Sequence, residues 1–188
     1  MVTSNDIANQ ALQLMGGNQP PVTGLAPTFD NSTAGIALQK LYAPCVATIA
    51  KQFEWPFVRS TVNLSLSGNT APPPWTVEYV YPASAVEVWQ LIPGTVLDAN
   101  NPLPQNWSIG NSLVNGTQTK VIQTTIANAK AVVNNNPSEN TWDVLFREAV
   151  VRLLASELSV ALAGKPETSK LYLESGGVFT NLAETRDG

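Results

Sequence analysis

At 188 residues the chain suits one domain, or one domain carrying a substantial insertion. Apolar residues make up 44% of it, enough for a core, but charged residues only 13% against about 25% in an ordinary soluble protein, so much of the surface is expected to meet other protein. The formal charge of −4, without a basic stripe or tail, excludes nucleic-acid binding through phosphate-seeking patches; the absence of histidine and the single cysteine exclude His-dependent catalytic pairs, His- or Cys-rich metal sites and any intrachain disulfide.

The opening residues "MVTSNDIANQ" lack the charged start and apolar run of a signal peptide, so an origin in the cytoplasm is expected. The first helix is expected in "TSNDIANQALQLMGG", with Thr3 and Asp6 at capping-box spacing and Gly16-Gly17 as its stop. A Pro/Gly loop follows. A second helix starts near 30–32 and runs to about Phe53, with its apolar stripe through Ile36 or Ala37, Leu38, Leu41, Tyr42, Cys45, Val46, Ile49 and Ala50. Pro44 should kink it or split it into two shorter helices.

From Val58 the period shifts to two, and strands are expected to about Val133. Val62, Leu64 and Leu66 alternate with polar residues, as do Val77, Tyr79 and Tyr81; "SAVEVWQLIP", "TKVIQTTI" and "AKAVVNN" follow. Gly110-Asn111 is the expected hairpin turn inside "SIGNSLVNG". "NTAPPPW" and "DANNPLPQNW" are expected loops. Helical periodicity returns after "NNNPSEN": Ser138 or Asn140 should cap a helix from Val144 to Leu162, apolar over more than half its circumference and ended by Gly164. Pro166 should open a last helix weakened by Gly176 and Gly177, which cost roughly 2 kcal/mol relative to alanines.

The expected fold is therefore α+β: a helical bundle (1–57 and the long helix of 137–188) with an inserted antiparallel β-sheet subdomain at 58–136 and a C-terminal helical docking segment. No stretch of about 18 unbroken apolar residues is present, so no membrane span is expected.

Few residues suggest chemistry. Glu148 and Glu157, nine positions apart, face different sides of a helix, and Arg147 and Arg152 beside them suggest ordinary ion pairs. Asp98 lacks the acidic neighbours of a calcium loop. Cys45 on an apolar stripe reads as a small hydrophobe. No motif frames a Ser/Thr–Lys dyad, so neither an enzyme nor a cofactor is expected. Trp75, Trp89 and Trp107 in an Asn/Thr-rich sheet could instead line a carbohydrate-binding face, the alternative to an interaction or structural role. Phe53, Trp55, Phe57 and Arg59 crowd the passage from helix to strand, as core plugs or subunit contacts.

Several stretches resemble one family. "DIANQALQLMG", "DNSTAGIALQKLYAPCVATIAKQFEWPFVRSTVNL", "YVYPASAVEVWQL", "WDVLFREAVVRLLASELSVALAG" and "LAETRDG" are similar, in order, to the tail tubular protein A family of head-to-tail connectors (adaptors) of short-tailed bacteriophages. The resemblance implies a virion protein assembled in the host cytoplasm. It would form a ring of identical subunits, typically a dodecamer, docked beneath the portal protein and carrying a tail nozzle or tube protein. Viral DNA would pass through its channel without specific binding. A tail-completion protein of a long-tailed phage is a neighbouring possibility. On this view the segment from Pro166, with Leu171, Val178, Phe179, Leu182 and Arg186, is the expected portal-docking element.

Overall fold

The computed structural model describes residues 2–16, 19–53, 55–94, 106–163 and 166–187, with the side chains of 163–169 and 183–188 outside the described set. Gly17, Glu54, Asp98 with its expected loop, Gly164 and the side chain of Arg186 accordingly lie outside it. The chain is mixed α+β and divides into two units, Met1–Phe53 with Pro137–Gly188, and Glu54–Asn136.

The first unit holds helices α1 (Ser4–Leu14), α2 (Thr33–Gln52), α3 (Val144–Ala163) and α4 (Pro166–Asp187), plus a small ribbon of β1 (Gly24–Leu25) and β2 (Thr28–Phe29). At the start of α1, the Thr3 side chain accepts from the Asp6 amide while Asp6 returns a bond to the Thr3 amide. Asn9 binds both backbone groups of Val22, which holds the following loop against α1.

Ser32 caps α2 by accepting from the Gly35 amide at 3.0 Å. Asp30 accepts from the Thr23 amide, the Ser32 amide and both hydroxyls, and these bonds, led by the Ser32 hydroxyl, hold its pKa down to about 2. Gly35 is required there: a Cβ would lie 2.1 Å from the Asp30 carbonyl oxygen. Contrary to the two-helix alternative, α2 is continuous through Pro44. Pro44 lies on the exposed side, where water can satisfy the carbonyl whose partner it removes. The stripe also begins elsewhere than expected, at Ala34 and Gly35, and leaves Ile36 45% exposed.

α3 starts later than its expected caps. Ser138 opens a single 3₁₀ turn, Glu139–Thr141, without a side-chain cap bond, and Asp143 caps α3 through the Leu145 amide at 2.8 Å. α1, α2 and α4 all pack on α3, which explains its unusually wide apolar girth. Phe146, Val150, Leu154 and Leu158 are completely buried, with Ala149 and Ala155 between them.

The second unit contains β3 (Arg59–Asn63), β4 (Val77–Val80), β5 (Ala85–Ile92), β6 (Trp107–Val114), β7 (Thr117–Thr124) and β8 (Lys130–Asn135). They form not one sheet but two antiparallel three-stranded sheets, ordered β3-β8-β5 and β4-β7-β6. Tyr79 and Ile122 from one sheet meet Val88, Leu91, Ala131 and Val133 from the other in a single buried cluster. After β3 the chain changes sheets: the Leu64 amide still bonds to Ala129, but the Val80 amide bonds to Ser65 and Leu66 bridges Tyr79. That crossing closes the side on which β3 and β4 are the outer strands.

The hairpin turn is Asn115-Gly116, not Gly110-Asn111. Both turn residues have positive φ, 50° and 78°, the geometry that matches strand twist in two-residue turns. Gly110 and Asn111 are interior rungs of β6, paired with Val121 and Lys120.

Candidate interaction surfaces

The aromatic knot at the end of α2 is spread over different environments. Phe53 is the extended residue after the helix and is half-buried. Trp55 is 1% exposed and meets Phe57 edge to face at 6.0 Å between ring centroids. Arg59, exposed, begins β3 opposite Asn134.

Helix α4 has two distinct faces because a helix turns 100° per residue. Gly176 and Thr180 are buried toward α3. A Cβ at Gly176 would sit 3.6 Å from the Cβ of Arg152, so the bare glycine marks the close approach of the two helices. Arg152 does not form the expected glutamate pair: it donates to the Ser175 hydroxyl at 3.1 Å and lies over the Phe179 ring at 4.9 Å. Phe179, expected to dock a partner, is thus half-buried within its own unit. Tyr172 donates to the carbonyl of Leu14, tying α4 to the end of α1.

On the opposite side, Leu171, Val178 and Leu182 recur at seven and four positions and share one stripe. They are 63%, 54% and 49% exposed. On the side of α4 turned away from that stripe a groove of about 300 Å³ opens between α2, α3 and α4, lined by Ile49, Gln52, Leu153, Leu173 and Gly177 among others. The groove was not legible in the sequence, since it depends on how α4, bare at Gly176, packs against α3 and α2. A Cβ at Gly177 would meet nothing within 4 Å. Gly177→Ala should therefore stabilise the unit by about 1 kcal/mol, the helix-propensity difference, read as a raised urea midpoint at unchanged slope. A loss of stability would mean that Gly177 is held in a backbone geometry alanine cannot adopt.

Nothing described resembles a reaction centre. No group of three or more His, Cys, Asp or Glu side chains is placed to hold a metal among the described residues, and no described helix is long and apolar enough to cross a membrane. Burial, with Glu157 nearby, pushes the Cys45 thiol up to about 12, so it stays protonated and unreactive. Trp107 packs against the core of the second unit, Trp89 sits at a bulge of β5 in the other sheet, and Trp75 belongs to the loop before β4. They are not three rungs of one ladder.

Among the described residues of the second unit, Glu78 is the one buried charged group, at 3% exposure. Its carboxylate accepts from Gln123 at 3.2 Å and Asn69 at 3.4 Å. Burial pushes its pKa up, but hydrogen bonds from Ser67, Gln123, Ser112 and Asn69 outweigh burial and hold it below the ordinary value. Asn69 also reaches Ser112 and the Leu113 carbonyl, so the cluster straps the segment before β4 across its sheet. Every donor is uncharged and internal, which marks a structural tie and not a substrate site.

No model of a known protein family matches the chain, and no curated protein matches its sequence.

Proposed function

We propose that the chain is a structural virion protein, a head-to-tail connector whose helical bundle carries an inserted sheet subdomain. Copies assemble into a ring between portal and tail, and DNA leaves through the central channel. The carrying observation is the exposed stripe Leu171, Val178 and Leu182, which lies on a helix already docked by its other face. A monomer gains nothing by displaying three aligned large hydrophobics there; a protomer that buries them against portal does. The scarcity of charge supports the same role, since ring flanks are covered by neighbours. The net negative charge supports a channel that releases duplex, because a phosphate-attracting wall would retain it.

The test replaces all three side chains together: Leu171→Gln, Val178→Thr, Leu182→Gln. Being solvent-facing, they should leave circular dichroism and thermal unfolding of the free protein unchanged, while affinity for portal protein falls by about a hundredfold or more. Undiminished binding would remove portal docking from α4.

A further inference from the structure

The second unit carries four sheet edges, and three of them are blocked or short. The outward groups of β4 are taken up: the Val80 amide bonds to Ser65, and the Glu78 carbonyl accepts from Ser67. β5 is broken by two register shifts, at Ala85/Glu87 and Val88/Gln90. Such bulges and covers are the usual defences of a free edge. β3 is regular but only five residues long.

β6 has no such defence. Its eight residues, "WSIGNSLV", contain no charge and no proline, and they pair with β7 without a bulge. The direction of its backbone groups follows from the neighbours. The Tyr81 amide bonds to the Lys120 carbonyl, so Lys120 and Ile122 of β7 address β4, and Thr117, Thr119, Val121 and Gln123 address β6. Their partners Val114, Ser112, Gly110 and Ser108 are therefore satisfied within the sheet. The backbone of Trp107, Ile109, Asn111 and Leu113 points the other way, where no described strand lies; among the described residues only Asn69 reaches it, at the Leu113 carbonyl. Ile109 shares the core-facing side with Ile122, yet it remains 39% exposed, and Leu113 67%. Among the described residues nothing closes the sandwich along this edge.

We propose that β6 is a strand-addition site, and that its occupant is β3 of the neighbouring copy in the ring. This rests on the ring reading above and names its contact. Within this unit the chain crosses from the end of β3 to the outer side of β4, so the regular edges β3 and β6 lie at opposite ends of the two sheets. On β3 the Leu64 amide and the Val58 carbonyl point to β8, which turns Thr61 and Asn63 outward. Pairing β6 with the next copy's β3 consumes both edges of every subunit head to tail. Such heterologous contact closes a ring, whereas pairing of β6 with itself would stop at a two-fold dimer.

Residue-resolved amide exchange on free and assembled protein tests it. In the ring, two or three of the outward amides Trp107, Ile109, Asn111 and Leu113 should slow by about a hundredfold or more, as many as β3 can reach, with Thr61 and Asn63 slowing in the same step; Ser108, Gly110 and Ser112 should be slow throughout. Asn111→Pro removes an outward N–H and no bond to β7, and should yield a folded monomer that does not assemble. Ile109→Lys, which leaves the backbone alone, should do the same. Rings that form without slowing these amides, or slowing of β6 only on addition of a second protein, would overturn the pairing while leaving the ring itself. A wild-type chain that stays monomeric, with and without portal protein, would overturn both.

Discussion

Tyr79→Phe is expected to cost roughly 3 kcal/mol of stability, although it deletes one oxygen and opens almost no space. The Tyr79 ring is 1% exposed, at the centre of the cluster between the two sheets. Its hydroxyl donates to the Ile126 carbonyl at 2.9 Å and accepts from the Ala129 amide at 3.1 Å. Both partners are backbone groups in the turn that carries β7 into β8. That turn cannot supply replacements: Asn128 stands at φ 54°, and a Cβ at Gly94 would lie 2.2 Å from the Asn128 carbonyl oxygen. Phenylalanine would thus orphan one donor and one acceptor in a dry site, at about 1–3 kcal/mol each, where an ordinary hydrogen bond contributes about 1. Urea titration measures it. A loss under about 1 kcal/mol would mean that the turn relaxes or takes up water. Amide exchange at Ala129 should quicken by more than the global change in stability accounts for, since its own bond is gone.

Local signals carried much of the fold. The Thr3/Asp6 box, the apolar stripe of α2 from Leu38 to Ala50 and the proline opening α4 each depend on neighbours within a few positions, and each stands where the pattern put it; the alternation holds less well, since Leu66 is exposed and Glu78 is buried beside Tyr79. The failures have a common physical origin. Gly110-Asn111 has the chemistry of a turn, but Asn115-Gly116 has it too, and only the register with β7 decides between them. Pro44 does not split α2, where it lies on the exposed side and water can reach the carbonyl it leaves free, and that exposure is a tertiary property. Arg152 beside Glu148 suggested an ion pair, yet Ser175 and Phe179 from α4 reach it first. That "AKAVVNN" becomes β8, the central strand of its sheet, depends on long-range pairing with β3 and β5 that no local pattern carries.

The surfaces were less legible than the core for the same reason. Leu171, Val178 and Leu182 could be named from the sequence as a docking row, but not as the face opposite α3 until Gly176 and Thr180 were seen to be buried. Nothing in "WSIGNSLV" says that it is an outer strand. Its lack of charge becomes informative only when β5 carries bulges, β4 is covered and β3 is short, while this strand is long and regular.

Glu78→Gln should cost about 2 kcal/mol at pH 7 and less at pH 3. The carboxylate gathers Ser67, Asn69, Ser112 and Gln123, with no lysine or arginine among them, so its charge is held by neutral donors alone. Hydrogen bonds to an ionised acceptor are worth about 1.5–3 kcal/mol, and an amide would replace one accepting oxygen by a donor facing other donors. Since the folded pKa lies below the ordinary value of 4.5, the folded state releases this proton more readily than the unfolded chain does. The stabilisation is therefore complete above about pH 5 and disappears as pH falls through 4.5 and past the folded value. Glutamine has no proton to gain, so the variant lacks this part of the acid loss and the two urea midpoints should converge on acidification. Gly110→Ala offers a second approach to the same tie. Its Cβ would stand 3.1 Å from the Gln123 amide nitrogen, close enough to push Gln123 off the carboxylate and reproduce part of the loss. A difference between wild type and Glu78→Gln that stayed constant from pH 7 to pH 3 would show that shape, and not charge, holds the segment through Ser67 and Asn69 across the sheet.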